Sequence, residues 1–414
     1  MLVKEICERT KLQANTFAGV STEVKNKVLL RAKELMFERS EEILIANKKD
    51  IEKAKQNGRN VAFIDRLALN DNRIKQMAEG LDAIVALPDP VGEIVEEYVL
   101  PNELEVKRVR APLGVIGIIF EARPNVSIDA AALCIKSGNG VILRGSRESL
   151  CSVGMLVGCI KNALEENGLS ADLVGLIEDQ EREATAEMLR QNKYIDVVIP
   201  RGGEGLKKVV LANATMPVIA SAGGNCHIYV APSADLNMAI PIILNAKTQR
   251  PSTCNALETL LIDKKVANEF IPIVCDALEK AGVKLNGTED VKSLYNKANL
   301  VGEDEFSREY DDMIIKIKVV DGLDCAISHI NQYGTNHSDC ILTQNEKEME
   351  KFTKEVDSSA VYVNTSTRFT DGFELGLGAE MGISTQKLHV RGPIGLKELT
   401  SVKYVVKGNG QLRK

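Results

Sequence analysis

The 414-residue sequence contains no tryptophan, and aromatic residues make up only 4% of it. Surfaces that stack bases or sugars are built from such rings, so nucleic-acid and carbohydrate recognition are disfavoured at once. The charge pattern agrees. Its 52 basic and 58 acidic side chains are mixed along the chain for a net charge of -6, and no basic stripe gathers phosphates. No nucleic-acid partner is expected. Long apolar runs are missing too: nothing approaches the roughly 20 residues of a membrane span. The start, Met1-Leu-Val-Lys-Glu-Ile-Cys-Glu-Arg9, is broken by charges where a secretion signal would be continuous. The expectation is a cytoplasmic protein with no membrane contact. Nine cysteines are an odd number and include no Cys-x-x-Cys, which argues against a disulfide framework or a zinc knuckle. His227, His329, His337 and His389 show no ligand spacing, so no metal site is expected.

What remains is an ordinary globular composition, 44% hydrophobic and 27% charged. Its length exceeds what one core usually organises. Residues 2–85 carry apolar side chains at helical spacing, as in Val28-Leu29, Ala32 and Leu35-Met36, with breaks at Gly58 and Gly80. From Glu96 to Val109 two extended runs flank Pro101-Asn102, which predicts a protruding hairpin.

Buried-strand runs then alternate with helical stretches. The runs are Val115–Phe120, Val141–Leu143, Leu173–Ile177, Val197–Ile199 and Val218–Ala220. After Cys254 the alternation resumes with Leu257–Ile262, Ile314–Val320, Asp339–Leu342 and Ala360–Asn364, and Ser401–Val406 makes a last strand. Such alternation means parallel sheets covered on both faces.

A nucleophilic cysteine must be reachable and able to ionise. Cys134, Cys151, Cys159, Cys275 and Cys325 fall in helical patterns, and Cys226 and Cys340 abut strand runs, so all of these fit core packing. Cys254 alone lies in a polar loop of small residues, Gln249-Arg-Pro-Ser-Thr-Cys-Asn255, and is the best nucleophile candidate.

Two strand ends suit anions. Ile195–Pro200 runs into Arg201-Gly202-Gly203-Glu204-Gly205 and then a helical stretch, where glycines and free N–H groups can cradle a diphosphate. Lys208 stands where a third fingerprint glycine would be, so the turn fits a ligand-free strand-to-helix connection as well. The second end, Leu143-Arg144-Gly145-Ser146-Arg147, suits a ribose 2′-phosphate, favouring NADP over NAD, or is plain surface charge.

Taken in order, these segments resemble the aldehyde dehydrogenase superfamily from about Pro112 onward. Pro112–Asn125 resembles that superfamily's segment ending in an oxyanion asparagine, and Ser137–Ser146 its ribose-binding strand, with Arg144 at the usual lysine. Three further stretches, Ala326–Ile341, Phe369–Thr385 and Gln386–Pro393, resemble the members that reduce L-glutamyl 5-phosphate.

The resemblance implies an aldehyde-dehydrogenase-like α/β fold with two parallel-sheet domains and a small β oligomerisation arm. Residues 1–95 and 111–248 would form the NADP-binding domain, 249–385 the catalytic domain, and 96–110 with 386–414 the arm. It further implies NADPH as cofactor, a homo-oligomer, a small-molecule substrate, and transient contact with the glutamate 5-kinase that supplies the acyl phosphate. Cys254 would form a thioester while the Asn125 amide and the Cys254 N–H hold the oxyanion. Glu309 would hold the nicotinamide ribose or is a surface acid before a strand. Arg123 and Arg250 would bind acyl phosphate or carboxylate, and Asn336, His337 and Ser338 would line the substrate pocket, unless His337 is a satisfied structural histidine.

One departure bears on the chemistry. Hydrolytic relatives carry a water-activating glutamate in Glu-Leu-Gly-Gly, whereas the corresponding stretch here is Pro217-Val-Ile-Ala-Ser-Ala-Gly-Gly-Asn-Cys-His227. No glutamate lies between Glu204 and Glu258. An enzyme that exchanges its thioester with phosphate gains nothing from such a base, so the absence favours phosphorolytic chemistry. Other acyl phosphates, coenzyme A acylation, a non-catalytic dinucleotide-binding relative and a cysteine hydrolase are the competing readings.

Overall fold

The computed structural model describes residues 2–221 and 223–413, with only the main chain of 62 and 204 included. The chain divides into two compact units. The first comprises Met1–Ala220, Gly376–Gly382 and Ile394–Lys414, and the second Ser221–Leu375 with Ile383–Pro393.

The first unit opens with helices α1 (Val3–Phe17), α2 (Thr22–Glu38), α3 (Ser40–Gln56), α4 (Val61–Leu67) and α5 (Asp71–Ala86). In α2 the buried face is Val28, Leu29, Ala32, Leu35 and Met36, a 3-4 repeat along one side. Asn70 starts α5 by accepting the Arg73 N–H at 2.8 Å. A hairpin follows, β1 (Ile94–Val99) and β2 (Glu105–Pro112), then β3 (Val115–Phe120), α6 (Asn125–Lys136), β4 (Gly140–Arg144), α7 (Leu150–Glu166), β5 (Val174–Leu176), α8 (Arg182–Met188), β6 (Val197–Arg201) and α9 (Glu204–Asn213).

Four of these strands form a parallel sheet in the order β5-β4-β3-β6. Every residue of β3 is buried, as a central strand covered on both faces requires. Val218–Ala220, expected as a strand, makes only a bridge, Val198 to Val218. Pro217 brings no N–H to a ladder there, and its carbonyl accepts the Val198 N–H at 3.0 Å.

In the second unit β7 (Cys226–Val230), α10 (Leu236–Thr248), β8 (Leu257–Asp263), α11 (Lys264–Lys280), β9 (Lys284–Gly287), α12 (Glu289–Leu294), β10 (Asn299–Leu300), β11 (Ile314–Val320), α13 (Leu323–Tyr333), β12 (Ser338–Leu342), α14 (Glu346–Glu355) and β13 (Ala360–Val363) follow in turn. The sheet is parallel, in the order β10-β9-β11-β8-β7-β12-β13. Its β8 is wholly buried. Beside it α11 buries Ala267, Phe270, Ile271, Val274, Cys275 and Leu278, and each large side chain there is worth roughly 1.5–3 kcal/mol.

The second sheet therefore begins at Cys226, ahead of the expected domain boundary at 248/249. The sequence reading set Cys226 beside a strand run but gave β7 no bounds, because His227 interrupts its apolar residues. In the structure that ring is buried, with Nδ1 3.1 Å from Asp339 Oδ1.

Two short strands, β14 (Ile383–Ser384) and β15 (Gly392–Pro393), pair antiparallel. The last strand, β16 (Thr400–Lys407), joins β2 over eight antiparallel pairs, giving the three-stranded sheet β1-β2-β16. Of the 386–414 stretch assigned to the arm, only β16 lies in this sheet. No described helix is long and apolar enough to cross a membrane.

Candidate active site

Helix α10 stops at Thr248 and β8 starts at Leu257, so the intervening residues must turn the chain through a tight loop. The Thr253 hydroxyl donates to the Arg250 carbonyl at 2.8 Å, and the Ala256 N–H to the Thr253 carbonyl at 2.9 Å. Cys254 rides on this turn and is half-buried.

Both flanks are held. Behind the cysteine, Gly224 approaches so closely that a Cβ on it would fall 1.3 Å from the Cys254 carbonyl oxygen. The Cys226 thiol donates to that same oxygen at 3.2 Å. Ahead of it, the Asn255 side-chain amide donates to the Thr370 carbonyl at 2.9 Å and the Arg368 carbonyl at 3.2 Å. Thr367 closes the clamp by donating its hydroxyl to the Asn255 carbonyl at 2.7 Å.

The Arg368 guanidinium bonds Asn255 Oδ1 and Gln249. Burial, and then repulsion from Arg250, push its pKa down, while the Cys254 sulfur attracts it. Burial pushes the thiols of Cys7, Cys275 and Cys340 up to about 12. Cys151 is half-buried, and Cys325 is exposed on the outer side of α13 rather than packed in a core as expected.

Glu309 comes from the loop before β11. One carboxylate oxygen accepts the Gly224 N–H at 2.6 Å, and a Cβ on Gly223 would sit 2.2 Å from the other. A carboxylate thus does reach the glycine pair, supplied from a distant loop. That loop is held by buried charges. Lys316 Nζ donates to Asn225 Oδ1 at 2.9 Å and to the Arg308 carbonyl, and Glu258, paired with Lys247 at 2.9 Å, accepts the Tyr310 N–H at 2.8 Å. Burial pushes the Lys316 ammonium down to about 8.

Asn336, His337 and Ser338 do not make an open pocket wall within this unit. His337 is 1% and Ser338 0% exposed. Asn336, at φ +59°, turns its carbonyl to the Ser359 N–H and hydroxyl, each at 2.8 Å. Arg250 is exposed. Cys254, Gly224, Glu309 and His337 all precede the strands they lead into, so they gather at the amino ends of β8, β7, β11 and β12.

In the first unit the expected anion-binding residues follow the carboxyl ends of β3, β4 and β6, the edge where open α/β sheets bind ligands. Asn125 opens α6, and its amide donates to Asp129 at 3.1 Å. Burial raises the Asp129 carboxyl to about 6. Arg123 is exposed just ahead of it.

Arg144 is half-buried, and its Nε is a buried donor without a partner among the described residues. Its Nη2 reaches the Glu181 carbonyl at 3.3 Å. Arg147 pairs with the Glu181 carboxylate at 2.8 Å, and Ser146 lies 3.3 Å from the Ser149 hydroxyl. The glycine turn holds an acid: the Gly203 N–H donates to Glu121 at 3.2 Å, and a Cβ on Gly202 would meet the same side chain at 2.7 Å. Gly205 has open space.

This arrangement, two parallel-sheet units with a clamped cysteine on a turn, agrees with the comparisons. The sequence model of the Aldehyde dehydrogenase family matches residues 1–302, and the chain belongs to that family of oxidoreductases. Gamma-glutamyl phosphate reductase of Clostridium perfringens is 51% identical over 406 residues, 98% of each chain. The crystal structure of gamma-glutamyl phosphate reductase from Thermotoga maritima is 45% identical, covers 100% of both chains and superposes with a TM-score of 0.98. The same fold, at 17% identity and a TM-score of 0.69 over 98% of this chain and 94% of the other, is seen in a glyceraldehyde-3-phosphate dehydrogenase from Methanocaldococcus jannaschii complexed with NADP.

Gly224, Cys226, Asn255, Arg368, Thr370 and Asp129 were not among the residues that sequence reasoning picked. One signal was available for the first. A Gly-Gly pair just ahead of a strand marks a close backbone approach.

Proposed function

We propose that this chain reduces L-glutamyl 5-phosphate to L-glutamate 5-semialdehyde and inorganic phosphate with NADPH, the second step of proline synthesis from glutamate, through a thioester on Cys254. The observation that carries this is the turn holding Cys254, pinned before and after the residue, with the Arg368 guanidinium bonded to the next residue, Asn255. Full-length likeness to gamma-glutamyl phosphate reductases supports the substrate.

The Cys254 thiolate attacks the acyl carbonyl. The C–S bond forms as the C–O bond to phosphate breaks, and phosphate leaves with the electron pair. The Asn125 amide and the Cys254 N–H share the oxyanion in this reading. Arg250 and Arg123 bind the anionic groups of the substrate. After reduction of the thioester, the thiohemiacetal collapses, releasing the aldehyde and restoring the thiolate.

Bound NADPH supplies the hydride. The unpartnered Nε of Arg144 suits its 2′-phosphate, with Ser146 and Arg147 beside it. Gly202, Gly203 and Gly205 suit the diphosphate, because Glu121 is exposed and its carboxylate can leave the turn. Glu309 holds the nicotinamide ribose.

The sheet β1-β2-β16 exposes Ile94, Val95, Tyr98, Val99, Tyr404, Val405 and Val406, an apolar surface that supports a homo-oligomer. A cytoplasmic biosynthetic setting, in contact with glutamate 5-kinase, fits a labile acyl phosphate.

The test runs the reaction backwards. NADP reduction with glutamate 5-semialdehyde should require inorganic phosphate. Turnover indifferent to phosphate, or supported by coenzyme A in its place, would overturn the assignment.

A further inference from the structure

Two of the residues expected to line a substrate pocket, His337 and Ser338, belong to a chain of buried side-chain contacts. Tyr362 Oη lies 2.9 Å from Thr370 Oγ1, and Thr370 Oγ1 lies 2.6 Å from Ser338 Oγ. Ser338 Oγ is 2.8 Å from His337 Nδ1, which is 3.9 Å from Cys226 Sγ. The Cys226 thiol then donates to the Cys254 carbonyl. Cys226, His337, Ser338 and Thr370 are all at most 1% exposed. A file of polar atoms thus runs from β13 through the start of the glycine-rich segment, β12 and β7 to the turn that carries Cys254, with a contact in place of a hydrogen bond between His337 and Cys226.

We propose that Cys226 and the file behind it, His337, Ser338, Thr370 and Tyr362, are positioning residues that set the direction of the Cys254 side chain. The inference rests on the reading of Cys254 as nucleophile. Its physical basis is donor economy. Each hydroxyl can donate one step along the file, Tyr362 to Thr370 to Ser338 to His337 Nδ1, which leaves the one S–H of Cys226 for the Cys254 carbonyl.

Holding that carbonyl fixes ψ at Cys254, and Asn255 is fixed from the other side by Thr367 and Thr370. Thr370 works twice, through its hydroxyl in the file and through its carbonyl on Asn255 Nδ2. The sulfur therefore starts from one defined direction. Burial holds the Cys226 thiol well above its usual range, so it stays a protonated donor and does not compete as a nucleophile.

The test compares Cys226→Ala with Cys226→Ser in the full-length enzyme. A displacement near 1 Å at a reacting atom costs about a hundredfold. Cys226→Ala should lower kcat tenfold to a hundredfold with KM changed less than about twofold. Cys226→Ser, whose hydroxyl donates to the same carbonyl, should restore most of kcat.

A readout that needs no substrate is the alkylation rate of Cys254 by iodoacetamide, followed on its peptide by mass spectrometry. It should fall in Cys226→Ala and recover in Cys226→Ser. Cys325→Ser, on the exposed side of α13, should leave both measurements at wild-type values.

Wild-type kcat and alkylation in folded Cys226→Ala would overturn the proposal. If that variant does not fold, Thr370→Val against Thr370→Ser repeats the comparison one step back. Equal kcat in that pair would overturn it too. Turnover retained by Cys254→Ala would instead remove the nucleophile reading itself, which keeps the two failures apart.

Discussion

Replacing Gly224 by alanine puts a methyl carbon 1.3 Å from the Cys254 carbonyl oxygen and 2.9 Å from the Cys254 Cα. The obstructing atoms are main chain, so no rotamer change relieves the contact. The two segments must part by about 1.7 Å to bring the methyl to the 3.0 Å limit of real Cβ contacts. Since roughly 1 Å of misplacement at a reacting group costs about a hundredfold, Gly224→Ala should lower kcat by at least about a hundredfold. Overpacking should also cost about 1–3 kcal/mol of stability. Steady-state rates with saturating substrate, beside a thermal melt, measure both.

The neighbouring glycine supplies the contrast. A Cβ on Gly223 meets the Glu309 carboxylate, the far end of a side chain that can swing away. Gly223→Ala should therefore raise KM for NADPH while sparing kcat to within about threefold, since only a positioning contact to the cofactor is disturbed. A folded Gly224→Ala enzyme with more than half the wild-type kcat would refute the claim that the glycine pair is there to seat the nucleophile.

Removing the Arg144 guanidinium in Arg144→Met should raise KM for NADPH about tenfold to a hundredfold and leave KM for NADH nearly unchanged, because a charge-assisted bond is worth about 1.5–3 kcal/mol. Equal losses for the two cofactors would contradict the 2′-phosphate assignment. His329 is buried among His227, Phe306 and Tyr333, and burial pushes its pKa down from 6.5 to about 3. The unfolded chain binds this proton below about pH 6.5 and the folded one does not. Its contribution is thus complete above pH 6.5 and is lost as pH falls towards 3, about 2 kcal/mol of it by pH 5. Denaturant titrations at pH 7 and 5 should show a smaller loss in His329→Phe; an identical loss would show that His329 is not the group responsible. Gly154 sits inside α7 with nothing within 4 Å of a Cβ, so Gly154→Ala should stabilise by about 0.5–1 kcal/mol with unchanged kinetics.

Much of the fold was legible because its signals are local. The fully buried runs at Val115–Phe120 and Leu257–Asp263 read as central parallel strands for the reason they are central: both faces are covered. Strand β7 was given no bounds because one polar residue, His227, stands in its run, and its partner Asp339 lies on another strand far along the chain. The expected boundary at 248/249 follows from this, since leaving β7 out puts the start of the second sheet at the nucleophile loop. Cys254 could be picked from its own loop composition. Cys226 was set aside as core packing, and it is indeed buried; burial alone does not reveal that its thiol faces the nucleophile's carbonyl.

The two sheets also use opposite edges, and this explains which site residues a reader of sequence finds. In the first unit, Arg144 ends its strand and Gly202 follows its own, so a strand run ending in arginines or glycines announces them. In the second, Cys254, Gly224 and His337 come before the strands they serve, and Glu309 lies at the end of a loop ahead of β11. Residues preceding strands carry a weaker signature, the Gly-Gly pair and the small-residue loop of Cys254 being the local signs here, because a chain entering a sheet can be capped by any polar loop. What joins them is lateral: Glu309 to Gly224 at 2.6 Å, Gly224 against the Cys254 carbonyl, and Cys226 on that carbonyl at 3.2 Å. These contacts cross among the starts of β11, β8 and β7, between residues 28 to 85 apart in sequence. The Gly-Gly pair is thus best understood as a seat: Gly224 offers a backbone surface on which the nucleophile's carbonyl rests, and Glu309 braces it from a distant loop.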